Sequence, residues 1–92
     1  IHETDDVLVI KDLYPKAPIH YLILPKLHAK DVQSIANEDM HIASALFQAA
    51  KDLCAKEGGK DFKLVINSGP ASGQTIFHVH MHFVAGKQLG EI

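Results

Sequence analysis

Seven consecutive residues, Phe77-His78-Val79-His80-Met81-His82-Phe83, alternate strictly between apolar side chains and histidine. That alternation has the period of a β-strand, in which successive side chains point to opposite faces. The three imidazoles are therefore expected on one face, with Phe77, Val79, Met81 and Phe83 directed into a core on the other. A row of imidazoles is unsuited to a dry interior, because each buried ring nitrogen needs a hydrogen-bond partner. The chain is thus expected to build a sheet with one apolar face and one face that carries its chemistry.

The remaining elements follow from similar local signals. Val7 to Ile10 is a β-branched run between Asp5-Asp6 and Lys11-Asp12, and reads as a strand. Tyr14-Pro15-Lys16-Ala17-Pro18 carries two prolines, which exclude a helix and make a turn. Ile19 to Leu24 predicts a second strand, stopped by Pro25, and the short loop makes the pair an antiparallel hairpin. Phe62 to Ile66 and Ile76 to Val84 predict two more strands; Ile1 to Glu3 adds an edge strand, and Ala29 to Ile35 a short helical turn.

Asn37 offers an N-cap, with Glu38 and Asp39 suited to the positive end of a helix. That helix should run to about Lys56 and stop at Gly58-Gly59. Its apolar residues form two adjoining stripes: Ile42, Leu46, Ala49 and Leu53, then Ala43, Phe47, Ala50 and Cys54. Together they span an arc of roughly 160°, wider than a helix on one sheet requires. The second stripe would meet another helix or a partner subunit, or else lie deep in a small core. The sum is an α+β domain: an antiparallel sheet of about five strands, one long helix and one short one.

Ninety-two residues hold one domain, residues 1–92. A chain this size buries about 60–65% of its unfolded surface, so pairing with a second subunit would add useful stability. It opens on Ile1 rather than methionine, so further N-terminal residues are expected to be missing from it. Nine basic and eleven acidic residues are dispersed along the chain, with no basic run to track a nucleic acid. No apolar run approaches the ~20 residues that span a bilayer, and Ile1 to Asp6 do not form a signal peptide's basic start. Cys54 is the one cysteine, so no intrachain disulfide exists; it reads as a small buried hydrophobe, and a reducing cytoplasm is the expected compartment.

Four arrangements would account for the histidine strand: a solvated face, a zinc site completed by His28 or His41, a module that holds a phosphate ester without cutting it, or a catalyst acting on a phosphorylated substrate. The loop before the strand favours the last. Gly69 and Gly73 allow close backbone approach, and Gly73-Gln74-Thr75 leads directly into the histidines. Successive N–H groups in such a turn can form an anion-binding nest. The Gln74 amide and Thr75 hydroxyl add side-chain donors.

Asn67, Gly69, Gly73-Gln74-Thr75 and His78-Val79-His80-Met81-His82-Phe83-Val84 resemble the signature of the histidine-triad (HIT) superfamily. Asp12-Leu13, Pro15, Ala17-Pro18, His20, Pro25-Lys26 and His28 are similar to that family's first half, at the expected distance. Gly86-Lys87-Gln88-Leu89 resembles the HINT branch of nucleoside phosphoramidases, which we favour. Gly69-Pro70-Ala71-x-Gly73-Gln74-Thr75 is similar to the Fhit branch of dinucleoside polyphosphate hydrolases.

The resemblance implies a HIT-like fold, joined as a homodimer through long helices and sheet edges, that binds a purine nucleotide such as an AMP or GMP conjugate. It makes His80 the nucleophile at the α-phosphorus, with His82, Gly73, Gln74 and Thr75 on the phosphate oxygens. His78 and His28 complete the polar wall. Asp12 would take the ribose hydroxyls, Ile10 and Leu13 would flank the base, and Asn67 would lie near the sugar–phosphate. The reaction implied is hydrolysis of a phosphoramidate-type bond through a nucleotidyl-histidine, with no cofactor and no metal. A neutral imidazole suits that task near pH 7, since its reference pKa is about 6.5. Dinucleoside polyphosphate hydrolysis, or a nucleotide-sensing scaffold, are the alternatives.

Other residues carry plainer expectations. His2 and His41 read as solvated, and His20 as a structural hydrogen-bonder. Lys11 beside Asp12, and Thr75 where serine is frequent, depart from the family pattern. So do the lack of a tryptophan near the C-terminus and of an N-terminal Cys-x-x-Cys.

Overall fold

A computed structural model describes all of residues 1–92. Five strands, β1 (His2–Glu3), β2 (Val7–Lys11), β3 (Ile19–Pro25), β4 (Phe62–Val65) and β5 (Met81–Ala85), surround one long helix in the chain order, α1 (His41–Lys56). They form a single sheet in the order β1-β2-β3-β5-β4, antiparallel at every junction. The proline-bearing turn closes β2 and β3 into the expected hairpin, with Ile10 opposite Leu22 and the Asp12 N–H on the His20 carbonyl. The short helical piece expected within Ala29–Ile35 is a single 3-10 turn, Val32–Ser34, capped by the Asp31 side chain. No helix is long and apolar enough to cross a membrane.

α1 covers one face of the sheet. Ile42, Leu46, Ala49, Ala50 and Leu53 are buried along it, and most of these pack against Val7, Val9, Ile23, Met81 and Phe83. Phe83 stacks on both Tyr21 and Phe62, with ring centroids 6.1 and 4.7 Å away. The Tyr21 hydroxyl donates to Glu57 just past the helix end at 2.6 Å, and that bond holds the phenol above its usual pKa. The second helical stripe divides: Ala50 is buried, whereas Phe47 is 58% exposed.

Four local expectations are corrected. The last strand begins at Met81, not Ile76, because its neighbour β3 ends in Pro25, which has no N–H for the ladder. Val79 donates instead to the Ala29 carbonyl at 2.7 Å, and Phe77, freed from the alternation, is 45% exposed rather than in the core. Asn37 is not the helix N-cap. A 3-10 turn over Asn37–Asp39 runs into Met40 and α1, supplying backbone bonds where a capping side chain would serve. Cys54 is half-buried at the edge of the core. His2 is also half-buried, against α1, with Nε2 3.8 Å from Asp52.

Because side chains alternate along strands, the face away from α1 carries Ile10, Leu22, His20, His82, Val84 and Val65 as cross-strand neighbours. This helix-free face holds His20 and His82.

Candidate functional site

The site is built on the hydrogen-bonded pairing of β3 with β5. Register sets Leu22 opposite His82 and Val84 opposite His20, so His20 and His82 are diagonal neighbours on one face. Their rings lie 5.2 Å apart, with His20 Nε2 2.9 Å from His82 Nδ1. His80, one step before β5, packs edge-on against His82 at 5.1 Å. The contiguous row is therefore His80, His82 and His20.

His78 leaves that row, and this corrects the expectation of three imidazoles side by side. The cause is the irregular backbone before Met81. His78 Nε2–H donates to the Pro25 carbonyl at 2.7 Å, and its Nδ1 meets His28 Nδ1 at 3.3 Å. His28 is exposed, and the pair ties residues 78 and 79 to the chain just past β3.

His80 is 6% exposed. Its Nδ1 lies 2.8 Å from the His78 carbonyl, which only accepts, so Nδ1 carries the proton and Nε2 keeps its lone pair.

Beside His82 opens a cleft of about 310 Å³, lined by Asp12, Tyr14, Lys16, His20, Val65, Asn67, His82 and Val84. Asp12 and Asn67, two residues singled out for the nucleotide, thus share a cavity with His82. Ile10 and Leu13, assigned to the base, are exposed, Leu13 almost fully. Asp12 Oδ1 accepts the Tyr14 N–H at 2.7 Å, and its Oδ2 lies 3.3 Å from His20 Nε2. Asn67 donates to the Ser72 carbonyl at 2.7 Å, steadying the loop that follows β4.

That loop differs from the expected cradle. The Gly73 N–H donates to Pro70 and the Gln74 N–H to Gly69, closing a 3-10 turn, so neither is left open as an anion nest. Gly73 adopts φ +99°, a conformation that favours glycine. The Gln74 side chain is buried and fully occupied. Its oxygen accepts from Gly69 N–H at 2.7 Å, and its amide donates to Lys30 and Ile76 carbonyls at 2.7 and 2.9 Å. A glutamine that satisfies three backbone groups shapes the loop rather than greeting a ligand. Thr75, exposed at the end of the turn, is the cradle side chain left facing solvent.

Burial lowers the pKa of His82 below its ordinary 6.5. Repulsion from His80 and His20 adds to this, and Asp12 partly opposes it. A ring-resolved NMR titration is therefore expected to show His82 losing its proton below pH 6.5. The sign for stability follows by linkage. As pH falls through 6.5 the unfolded chain binds this proton first, so the fold weakens from there down to the lowered native value. Above pH 6.5 the group contributes no pH dependence. A His82 midpoint at or above 6.5 would contradict the burial argument.

Asp12, His20 and His82 each bring one donor atom within 4.8 Å of the others, a spacing that invites a metal ion. The donor chemistry opposes it. Lys16 N–H donates to His20 Nδ1 at 3.0 Å, which puts the lone pair on Nδ1 and the proton on Nε2, the atom that would have to coordinate. Neither His28 nor His41 joins this trio.

His20 is buried and hydrogen-bonded, as expected of a structural residue, but sequence reasoning did not place it, Lys16 or Tyr14 on the cleft. The signal was present in the position of His20 within the first-half motif, but its contact with His82 spans 62 residues and follows only from the β3–β5 register.

Comparison with known proteins places this fold. The profile of the HIT domain matches residues 1–89. An uncharacterised HIT-like protein of Chlamydia muridarum is 38% identical over 96 residues, covering 100% of this chain and 74% of that protein. Among solved structures, a histidine triad protein from Clostridium difficile superposes with a TM-score of 0.92 at 36% identity, covering 100% of this chain and 82% of the other. A HIT family hydrolase from Legionella pneumophila gives a TM-score of 0.91 at 30% identity, covering 98% and 82%.

Proposed function

The chain belongs to the HIT domain family, and on that premise we propose that it is a nucleotide-binding hydrolase of the HINT type. In this reading it cuts the phosphoramidate-type (P–N) bond of purine nucleoside monophosphate conjugates. The observation that carries the reading is the bond between His80 Nδ1 and the His78 carbonyl, which leaves an unprotonated Nε2 on a buried ring beside His82. That lone pair attacks the α-phosphorus. The P–N bond breaks, the amine leaves with the electron pair and takes up a proton from solvent, and a nucleotidyl-His80 remains. Water then attacks the same phosphorus, releasing the nucleoside monophosphate and restoring the neutral imidazole.

The neighbouring groups divide the remaining work. His82, half-buried beside His80, supports the phosphoryl oxygens, assisted by Thr75. Asp12 takes the ribose hydroxyls at the cleft, Asn67 lies by the sugar–phosphate, and Ile10 and Leu13 offer an apolar surface to the base. Gly73 and Gln74 act by shaping the loop, while His78 and His28 secure the backbone whose carbonyl orients His80. The functional unit is a homodimer: β4 is a sheet edge bearing exposed Phe62, and Phe47 stands exposed on the outer side of α1. Sedimentation at micromolar concentration checks that state.

Rates on an adenosine phosphoramidate and on a dinucleoside triphosphate test the assignment. Faster turnover of the phosphoramidate is the expected result. A preference for the dinucleotide would favour the Fhit-type reading, which rests on the likeness of Gly69-Pro70-Ala71-x-Gly73-Gln74-Thr75 to that branch. Turnover of neither would leave a nucleotide-binding scaffold.

A further inference from the structure

Lys16, His20, His82 and Asp12 form a chain of polar contacts whose direction can be worked out from one end. The Lys16 backbone N–H can only donate, and it meets His20 Nδ1 at 3.0 Å. His20 Nδ1 therefore holds a lone pair, and the proton of the neutral ring sits on Nε2. That Nε2–H faces two acceptors, His82 Nδ1 at 2.9 Å and Asp12 Oδ2 at 3.3 Å. With its Nδ1 accepting, a neutral His82 must carry its own proton on Nε2. His80, by contrast, has its proton on Nδ1 through the His78 carbonyl. Two adjacent histidines thus present opposite groups: a lone pair from one and an N–H from the other.

We propose that His20 is a positioning residue that locks His82 in the Nε2–H tautomer, and that Asp12 links this lock to the sugar of the nucleotide. The inference rests on the proposed nucleotide chemistry and deepens it. An unrestrained neutral imidazole divides between two tautomers. The wrong one at His82 would turn a lone pair toward anionic phosphoryl oxygens. The lock removes that form before substrate arrives. Asp12 competes for the same His20 proton. A ribose hydroxyl donating to Oδ2 satisfies the carboxylate and weakens that claim, so the His20 Nε2–H is given over to His82. Sugar occupancy and readiness of the phosphate-binding donor are then coupled through a single side chain.

Imidazole nitrogens in the two tautomers differ widely in 15N shift, which gives a test independent of turnover. In the 15N-labelled protein at pH 8, His82 is expected to show a protonated Nε2 and an unprotonated Nδ1. His20→Leu is expected to mix the two forms. His20→Gln keeps an acceptor for Lys16 N–H and a donor for His82, and is expected to restore the single tautomer. Turnover of an adenosine phosphoramidate should follow: kcat falls about tenfold in His20→Leu, the worth of one hydrogen bond, with KM changed less, and His20→Gln recovers most of it.

Adding AMP should shift the His20 Nε2 resonance more than adding its 2′,3′-dideoxy analogue. A wild-type His82 protonated on Nδ1 overturns the lock, as does a His82 signal unchanged in His20→Leu. Equal responses to the two nucleotides overturn the link through Asp12. The expected shifts without any turnover would sustain the lock and sink the hydrolase reading.

Discussion

Replacing His80 by alanine is expected to lower turnover of an adenosine phosphoramidate by roughly 10⁴-fold or more, the scale seen when a covalent nucleophile is removed. No neighbouring group can substitute, because in the assigned tautomers His82 offers an N–H rather than a lone pair. The fold should survive. The lost bond to the His78 carbonyl costs about 1 kcal/mol, and β5 begins only at the next residue. Thermal melting and AMP binding by the variant serve as controls, and both should stay close to wild type. Wild-type enzyme quenched during turnover should carry a nucleotidyl mass on the peptide containing His80. Undiminished turnover in His80→Ala would remove the nucleophile assignment, and with it the mechanism.

The largest effect on stability is expected at Phe83. It is 1% exposed at the centre of the sheet, stacked on Tyr21 and Phe62 and packed under α1. Truncation to alanine leaves a cavity that neighbours on three strands cannot close, at a cost of about 3–5 kcal/mol. Domains of this size have a total stability of about 5–15 kcal/mol. The corresponding fall in Tm is roughly 12–40 °C, enough to leave the weakest case unfolded at 37 °C. Phe77→Ala is the informative contrast. The two phenylalanines flank the same histidine run, yet Phe77 is half-exposed, with Lys30 Nζ 5.6 Å from its ring centroid. Its loss should cost no more than about 1 kcal/mol. Calorimetry of both variants checks the pair; equal losses would mean that the alternation does extend into the core at Phe77.

These two phenylalanines also mark where local reasoning reaches its limit. Alternation identifies Val79, Met81 and Phe83 as inward-facing, and all three are buried. It fails at Phe77 because a strand persists only while a neighbour supplies hydrogen bonds, and β3 ends in a proline. The helix was legible from its apolar stripes and its glycine stop. Its start was less so, because backbone bonds from a 3-10 turn did the work expected of the Asn37 side chain. Gln74 shows the same limit within the site. Its residue type suggests a phosphate donor, but whether an amide is free depends on which carbonyls fold up against it, and here those are Lys30 and Ile76.

The histidine alternation by itself determined that a strand would carry imidazoles on one side and core residues on the other. With the flanking motifs it also pointed to the family. Both are properties of spacing, which the chain carries before it folds. Only the tertiary structure decided that the three histidines are unequal. The β3–β5 register turns His82 toward His20 and Asp12, while the break in the ladder turns His78 toward Pro25 and His28. A tautomer is set by the partner on the far nitrogen, and for His82 that partner lies 62 residues away. No local pattern reports such a contact, because it exists only once the strands have paired.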